Sequence, residues 1–119
     1  MSQRLLIVDD DEAVRETLRY ILEAFEIVEA SSAIEALDLI SSGQHFDAVV
    51  CDLIMPGMTG AELHQSLDPA SPLRGSFIFM TGGFLPKVVK EFLDEVDPPL
   101  MSKPFDIHAV KAAVSTLLG

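Results

Sequence analysis

The 119-residue chain sets 19 Asp and Glu against eight Lys and Arg, for a formal net charge of −11, and 49% of its residues are apolar. That length suits one domain with a real core, read here as residues 1–119, and the charge disfavours direct contact with nucleic acid or anionic membrane, both of which carry phosphate. No apolar run approaches the roughly 20 residues of a membrane helix, no signal-peptide pattern opens the chain, and a lone Cys51 rules out an internal disulfide, so a cytoplasmic globular domain is expected.

Arg4-Leu5-Leu6-Ile7-Val8 is apolar without polar alternation, the pattern of a strand covered on both faces, and it ends in Asp9-Asp10-Asp11. Val14, Leu18, Ile21, Leu22 and Phe25 then recur at steps of three and four, predicting an amphipathic helix with acidic residues in its first turn. Glu26–Ala30 reads as a second strand. Ser32 with Glu35 reads as a capping box, opening a helix that carries Ile34, Leu37 and Ile40 and stops at Gly43. Ala48-Val49-Val50-Cys51 predicts a third buried strand, stopped at Asp52 by a loop whose Pro56, Gly57 and Gly60 forbid regular structure.

Ala61–Leu67 is a short third helix, and a proline-containing loop leads to a fourth strand, Phe77–Met80, which ends at Thr81-Gly82-Gly83. Pro86 suits the first turn of a fourth helix with Val89, Phe92, Leu93 and Val96 inward, and Pro98-Pro99 breaks it. Leu100-Met101-Ser102 reads as a fifth, short strand ending at Lys103-Pro104. Asp106 can cap a last helix with Ile107, Val110, Val114 and Leu117 on one face. The thiol of Cys51, inside an apolar strand, is read as core. His45, His64 and His108 are read as surface residues, Asp47 as a solvated strand-start residue, and Glu91, Asp94, Glu95 and Asp97 as a solvated acidic face.

Five strand-then-helix units joined by short loops imply an α/β fold: a doubly wound, five-stranded parallel sheet with five helices. A domain of this size fits the flavodoxin-like strand order 2-1-3-4-5, whose switch point lies between strands one and three. Asp9, Asp10 and Asp52 then end at that crevice, with Thr81 and Lys103 on the same rim. Converging carboxylates repel one another unless a cation intervenes, and Mg²⁺ (or Mn²⁺) accepts such oxygens while keeping positions for phosphate. Lys103 adds a compact positive charge and Thr81 a hydroxyl donor beside Gly82. The set makes a phosphoryl-transfer site in which a carboxylate can be the nucleophile.

In Leu6-Ile7-Val8-Asp9-Asp10-Asp11, Cys51-Asp52-Leu53-Ile54-Met55-Pro56-Gly57-Met58-Thr59-Gly60, Met80-Thr81-Gly82-Gly83 and Lys103-Pro104-Phe105, the chain resembles a receiver domain of two-component signalling, the response-regulator family. The resemblance covers essentially the whole chain. It implies that Asp52 accepts a phosphoryl group from a phosphohistidine on a histidine kinase or histidine phosphotransfer domain. It further implies that Asp10, Asp52 and the backbone carbonyl of Ile54 hold Mg²⁺, with Asp9 acting mainly through water. Lys103 would pair with the phosphoryl oxygens, Thr81 would move as the switch, and the Lys103-Pro104 bond would be cis. Asp11 is expected at a helix start.

The chain departs from the family pattern in two ways, at three positions. The residue three before the lysine, usually aromatic, is Leu100, and the positions two beyond Asp52 and two beyond Thr81 are Ile54 and Gly83, neither of which can hold a water with a polar side chain. Slow self-hydrolysis is expected from the second departure. A receiver from a hybrid sensor histidine kinase, or a stand-alone response regulator, is the expected parent, with a receiver homodimer through helix four, strand five and helix five. The rivals are a haloacid-dehalogenase-like phosphatase using Asp9 as nucleophile, which leaves Asp52 unexplained, an FMN binder, whose phosphate the acidic first loop would repel, and a phosphorylation-independent interaction module.

Overall fold

Strands that are apolar on both faces need cover on both sides, and here the helices supply it. A computed structural model describes residues 3–119; residues 1 and 2 of the expected domain lie outside the described residues. In chain order the described elements are β1 (Arg4–Val8), α1 (Glu12–Ile21), β2 (Glu26–Ala30), α2 (Ala33–Ser41), β3 (Ala48–Asp52), α3 (Gly60–Ser66), a 3₁₀ turn (Pro72–Gly75), β4 (Phe77–Thr81), α4 (Lys87–Val96), β5 (Leu100–Ser102) and α5 (Ile107–Leu118). The strands form one parallel sheet in the order β2-β1-β3-β4-β5. The flavodoxin-like doubly wound fold and its strand order are as expected from the sequence.

Side chains alternate along each strand between two apolar layers. Leu6, Val8, Val49, Cys51, Phe77 and Phe79 pack with α2, α3 and α4, whereas Leu5, Ile7, Val50, Ile78 and Met80 pack with Leu18, Val110 and Val114 of α1 and α5. Because β1, β3 and β4 are buried on both faces, their register is tightly specified. Pairings such as Val8 with Cys51, and Asp52 with Met80, bring the strand ends to one rim.

Several local expectations are corrected. Ser32 does cap α2 through the Glu35 amide, but the Glu35 carboxylate turns to the Ser31 hydroxyl at 3.1 Å, so the reciprocal half of the box is missing there. A complete capping box instead opens α3, where Thr59 and Glu62 each accept from the other's backbone amide. Asp106 stands at the start of α5 without a side-chain cap. Val96 is 40% exposed and not inward: it is the last residue of α4, which ends on Asp97 in the left-handed conformation (φ 49°). Asp47 is half-buried and accepts from the Arg4 amide at 2.7 Å and pairs with His45 at 3.0 Å, so it ties the base of β3 to the start of β1.

The largest departure is His64, read from sequence as a surface residue and found 5% exposed in the core. Its ring meets Phe77 and Phe92 edge-on at 5.1 and 5.2 Å. Burial of the polar ring is made tolerable by Nε2, which donates to the Arg74 carbonyl at 2.9 Å, while Arg74 Nε donates back to the His64 carbonyl at 3.3 Å. The 3₁₀ turn is thereby latched to α3. His45 and His108 are exposed, and so are Glu91, Asp94, Glu95 and Asp97, as expected.

Candidate functional site

Asp52 is the last residue of β3, and its backbone is boxed in from behind. Leu53 donates to the Met80 carbonyl at 3.0 Å and accepts from the Gly60 amide at 2.9 Å, which folds the 53–60 loop back onto the strand end. Gly60 is required there: a Cβ at that position would lie 2.3 Å from the Asp52 carbonyl oxygen. Met55, 5% exposed, plugs the loop into the core. The Asp52 side chain is thus presented from a rigid element.

Asp9 follows β1 and is fully buried; Asp10 is exposed beside it. One oxygen from each of Asp9, Asp10 and Asp52 lies within 4.8 Å of the others. Lys103, following β5, is positioned by its own amide, which donates to the Thr81 carbonyl at 2.8 Å. Its Nζ lies 2.9 Å from Asp9 Oδ2 and 3.3 Å from Asp52 Oδ2. The second Asp9 oxygen accepts from the Asp11 amide at 2.9 Å, so both are engaged. Asp11 itself caps α1 through the Ala13 amide, the helix-start role expected for it.

Thr81 closes β4, and with Asp52, Ile54, Gly82, Gly83, Phe84 and Lys103 it lines a shallow pocket of about 230 Å³. The Ile54 amide points to Asp52 Oδ1 at 3.4 Å, while its side chain is 40% exposed. Leu100 is 46% exposed on β5. The Lys103-Pro104 bond is cis. All the residues expected from sequence, Asp9, Asp10, Asp52, Ile54, Thr81 and Lys103, therefore end on one rim.

The electrostatics follow from this crowding. Burial, then the charge of Asp9, raises the Asp52 carboxyl above its ordinary value, against the opposing pull of Lys103. Burial works against the Lys103 charge, but its hydrogen bond to Asp9 and the charge of Asp52 outweigh it, and the ammonium is held more firmly than usual. The Cys51 thiol, fully buried with Sγ donating to the Asp52 carbonyl at 3.2 Å, is pushed up by burial and by both carboxylates, which keeps it an inert core group. One ammonium leaves the three-carboxylate cluster in excess negative charge. An all-oxygen donor set with an open flank at Asp10 fits a hard divalent cation such as Mg²⁺ or Mn²⁺.

Sequence reasoning missed Arg15, which reaches back from α1 to donate from Nη1 to the Asp9 carbonyl at 2.7 Å. Its place one turn into an amphipathic helix carries no motif, and the link is visible only once β1 and α1 are packed.

A parallel α/β domain with carboxylates at the switch point and a lysine on the neighbouring strand end defines a narrow class. The chain belongs to the response regulator receiver domain family of two-component systems, whose family model matches residues 5–115. It is 35% identical over 130 aligned residues to the response regulator MprA of Mycobacterium tuberculosis, covering 99% of this chain and 51% of that protein. The chain therefore spans about half the length of the curated relatives it matches. Among solved structures it is similar to a CheY-like response regulator receiver domain protein from Methanospirillum hungatei, at 27% identity and TM-score 0.85, covering 99% of this chain and 94% of that one. It is also similar to the signal receiver domain of a signal transduction histidine kinase from Syntrophus aciditrophicus, at 25% identity and TM-score 0.84, covering 98% and 90%.

Proposed function

We propose that this domain is a phosphoacceptor switch in which Asp52 takes a phosphoryl group from a phosphohistidine on a histidine kinase or histidine phosphotransfer domain. The observation that carries the reading is the Lys103 ammonium, 2.9 Å from Asp9 and 3.3 Å from Asp52, set in a cluster of carboxylates at the sheet's switch point. A Mg²⁺ (or Mn²⁺) held by Asp10, Asp52 and the Ile54 carbonyl, with Asp9 acting through water, would screen the incoming phosphoryl charge when bound. The engagement of both Asp9 oxygens favours that indirect part over direct ligation.

In the transfer, an Asp52 oxygen attacks phosphorus, the P–O bond forms as the P–N bond to the donor imidazole breaks, and the carboxylate becomes an acyl phosphate. Lys103 then follows the charge from the carboxylate oxygen to the phosphoryl oxygens. Thr81, which lines the same pocket, offers its hydroxyl to the same group and couples phosphorylation to the β4–α4 loop. Asp9 is a poorer nucleophile, since its oxygens are held at 2.9 Å by the Asp11 amide and Lys103, where those of Asp52 meet the Ile54 amide and Lys103 only at 3.4 and 3.3 Å, and it is fully buried, which weighs against the phosphatase alternative. Neither Ile54 nor Gly83 can position a hydrolytic water through a polar side chain, so the acyl phosphate should persist for minutes; a half-life of seconds would contradict this.

A response regulator and a histidine kinase receiver both stand among the similar proteins, and either parent fits. A second receiver is proposed to pair through α4, β5 and α5, where Val88, Val96, Leu100 and Ile107 are exposed. Light scattering with and without a phosphoryl mimic tests this, and an unchanged monomer would contradict it.

Intact mass after incubation with a small-molecule phosphodonor tests the main reading. One phosphoryl should be added to wild type only with Mg²⁺, and none to Asp52→Asn. Labelling kept by Asp52→Asn and lost by Asp9→Asn would overturn it in favour of the phosphatase.

A further inference from the structure

The acidic loop after β1 is held from behind by a cation that touches none of its carboxylates. Arg15, on α1 with its side chain 15% exposed, donates from Nη1 to the backbone carbonyl of Asp9 at 2.7 Å. Its Nε donates to Glu29 Oε1 at 3.1 Å, and the other oxygen of that β2 carboxylate pairs with Arg19 one turn further along α1. The Asp9 amide is held as well, donating to the Ala30 carbonyl of β2 at 3.2 Å.

The carbonyl that Arg15 grips belongs to the peptide plane joining Asp9 to Asp10. With that plane fixed on one side and the Asp9 amide fixed on the other, the directions in which both carboxylates leave the backbone are set. Asp10 is exposed, and no hydrogen bond to its carboxylate is found among the described residues, so its orientation depends on its backbone.

We propose that Arg15, oriented by Glu29, is a positioning residue for divalent-cation binding at the Asp9–Asp10–Asp52 cluster. The inference rests on the phosphoacceptor reading for the cation's purpose, though not for its test. Coulomb's law and positioning make opposite predictions here. A guanidinium near a divalent site repels the ion, so its removal should tighten Mg²⁺ if charge alone matters. Removal should weaken Mg²⁺ if Arg15 orients the ligands, in the way that partners of ligating groups commonly matter by about 10-fold to 100-fold in metal affinity.

Titration calorimetry with MgCl₂ on the phosphate-free chain decides the sign. Arg15→Gln should raise the Mg²⁺ dissociation constant about 10-fold, and Arg15→Lys should fall between it and wild type, since lysine keeps the charge but cannot serve both partners in a fork. Arg19→Gln removes the other Glu29 partner without touching the Asp9 carbonyl and should stay within about twofold of wild type, in contrast to the loss at Arg15. Equal or tighter Mg²⁺ binding by Arg15→Gln overturns the inference. So does an equal loss in Arg19→Gln, which would make the effect one of general helix stability. Should Arg15→Gln melt below the assay temperature, the comparison of Arg15→Lys with Arg19→Gln carries the same decision. Wild type that binds no Mg²⁺ and takes no phosphoryl label overturns the phosphoacceptor reading itself. Wild type that labels at Asp52, with Arg15→Gln binding Mg²⁺ as well as it does, overturns only the role of Arg15.

Discussion

Gly60 and Asp52 show how much of the site is set by single atoms. A methyl group on Gly60 would sit 2.3 Å from the Asp52 carbonyl oxygen, a backbone atom that cannot swing aside. Gly60→Ala should therefore cost about 3 kcal/mol of stability and depress Asp52 labelling; a urea midpoint equal to wild type would show that the loop can relax. Asp52 is strained in the other sense. Its folded pKa is raised, so the stability linked to its protonated form is present below the unfolded value and lost as pH rises through the folded one. At neutral pH the ionised group is a cost. Asp52→Asn should raise the metal-free melting temperature by about 3 °C at pH 7, a gain that fades near pH 4, and a lower melting temperature at pH 7 would contradict this. The site residues were legible because each follows an apolar run that stops abruptly, whereas Arg15 was hidden because its partner is a backbone carbonyl, which no side-chain pattern reports.

At the level of elements, α3 and the 3₁₀ turn hinge on His64. Burial, the largest cause, holds its imidazole below the ordinary value, although the Arg74 carbonyl opposes this. A lowered histidine pKa means that the unfolded chain binds the proton first. The penalty is absent above about pH 6.5 and grows as pH falls toward the folded value. His64→Phe should remove that part of the acid-side slope while losing about 1 kcal/mol at pH 8 from the orphaned Arg74 carbonyl. Parallel stability curves for the two proteins between pH 8 and 5 would contradict this. The surface placement read for His64 failed because α3 has only seven residues, too few for a helical period to separate its faces. Capping was misread for a related reason: Ser32 and Glu35 have the right spacing, but the neighbouring Ser31 hydroxyl competes for the Glu35 carboxylate.

Over the whole molecule, strand order and strand-end placement were legible because five strands alternating with helices allow few right-handed parallel arrangements. Layer assignment then followed from alternation along β1, β3 and β4. The fold matters to function through one consequence: it gathers carboxylates, hydroxyl and ammonium from four strand ends at a single switch point. Chemistry at that point is tested most directly by trapping the phosphorylated side chain. An acyl phosphate is reduced by borohydride to an alcohol, so an aspartyl phosphate becomes homoserine, whereas a free carboxylate is untouched. After exposure to a phosphodonor with Mg²⁺ and then borohydride, peptide mapping should find homoserine at position 52 alone. Homoserine at position 9, or none at any aspartate while the phosphoryl mass is retained, would contradict Asp52 as the phosphoacceptor.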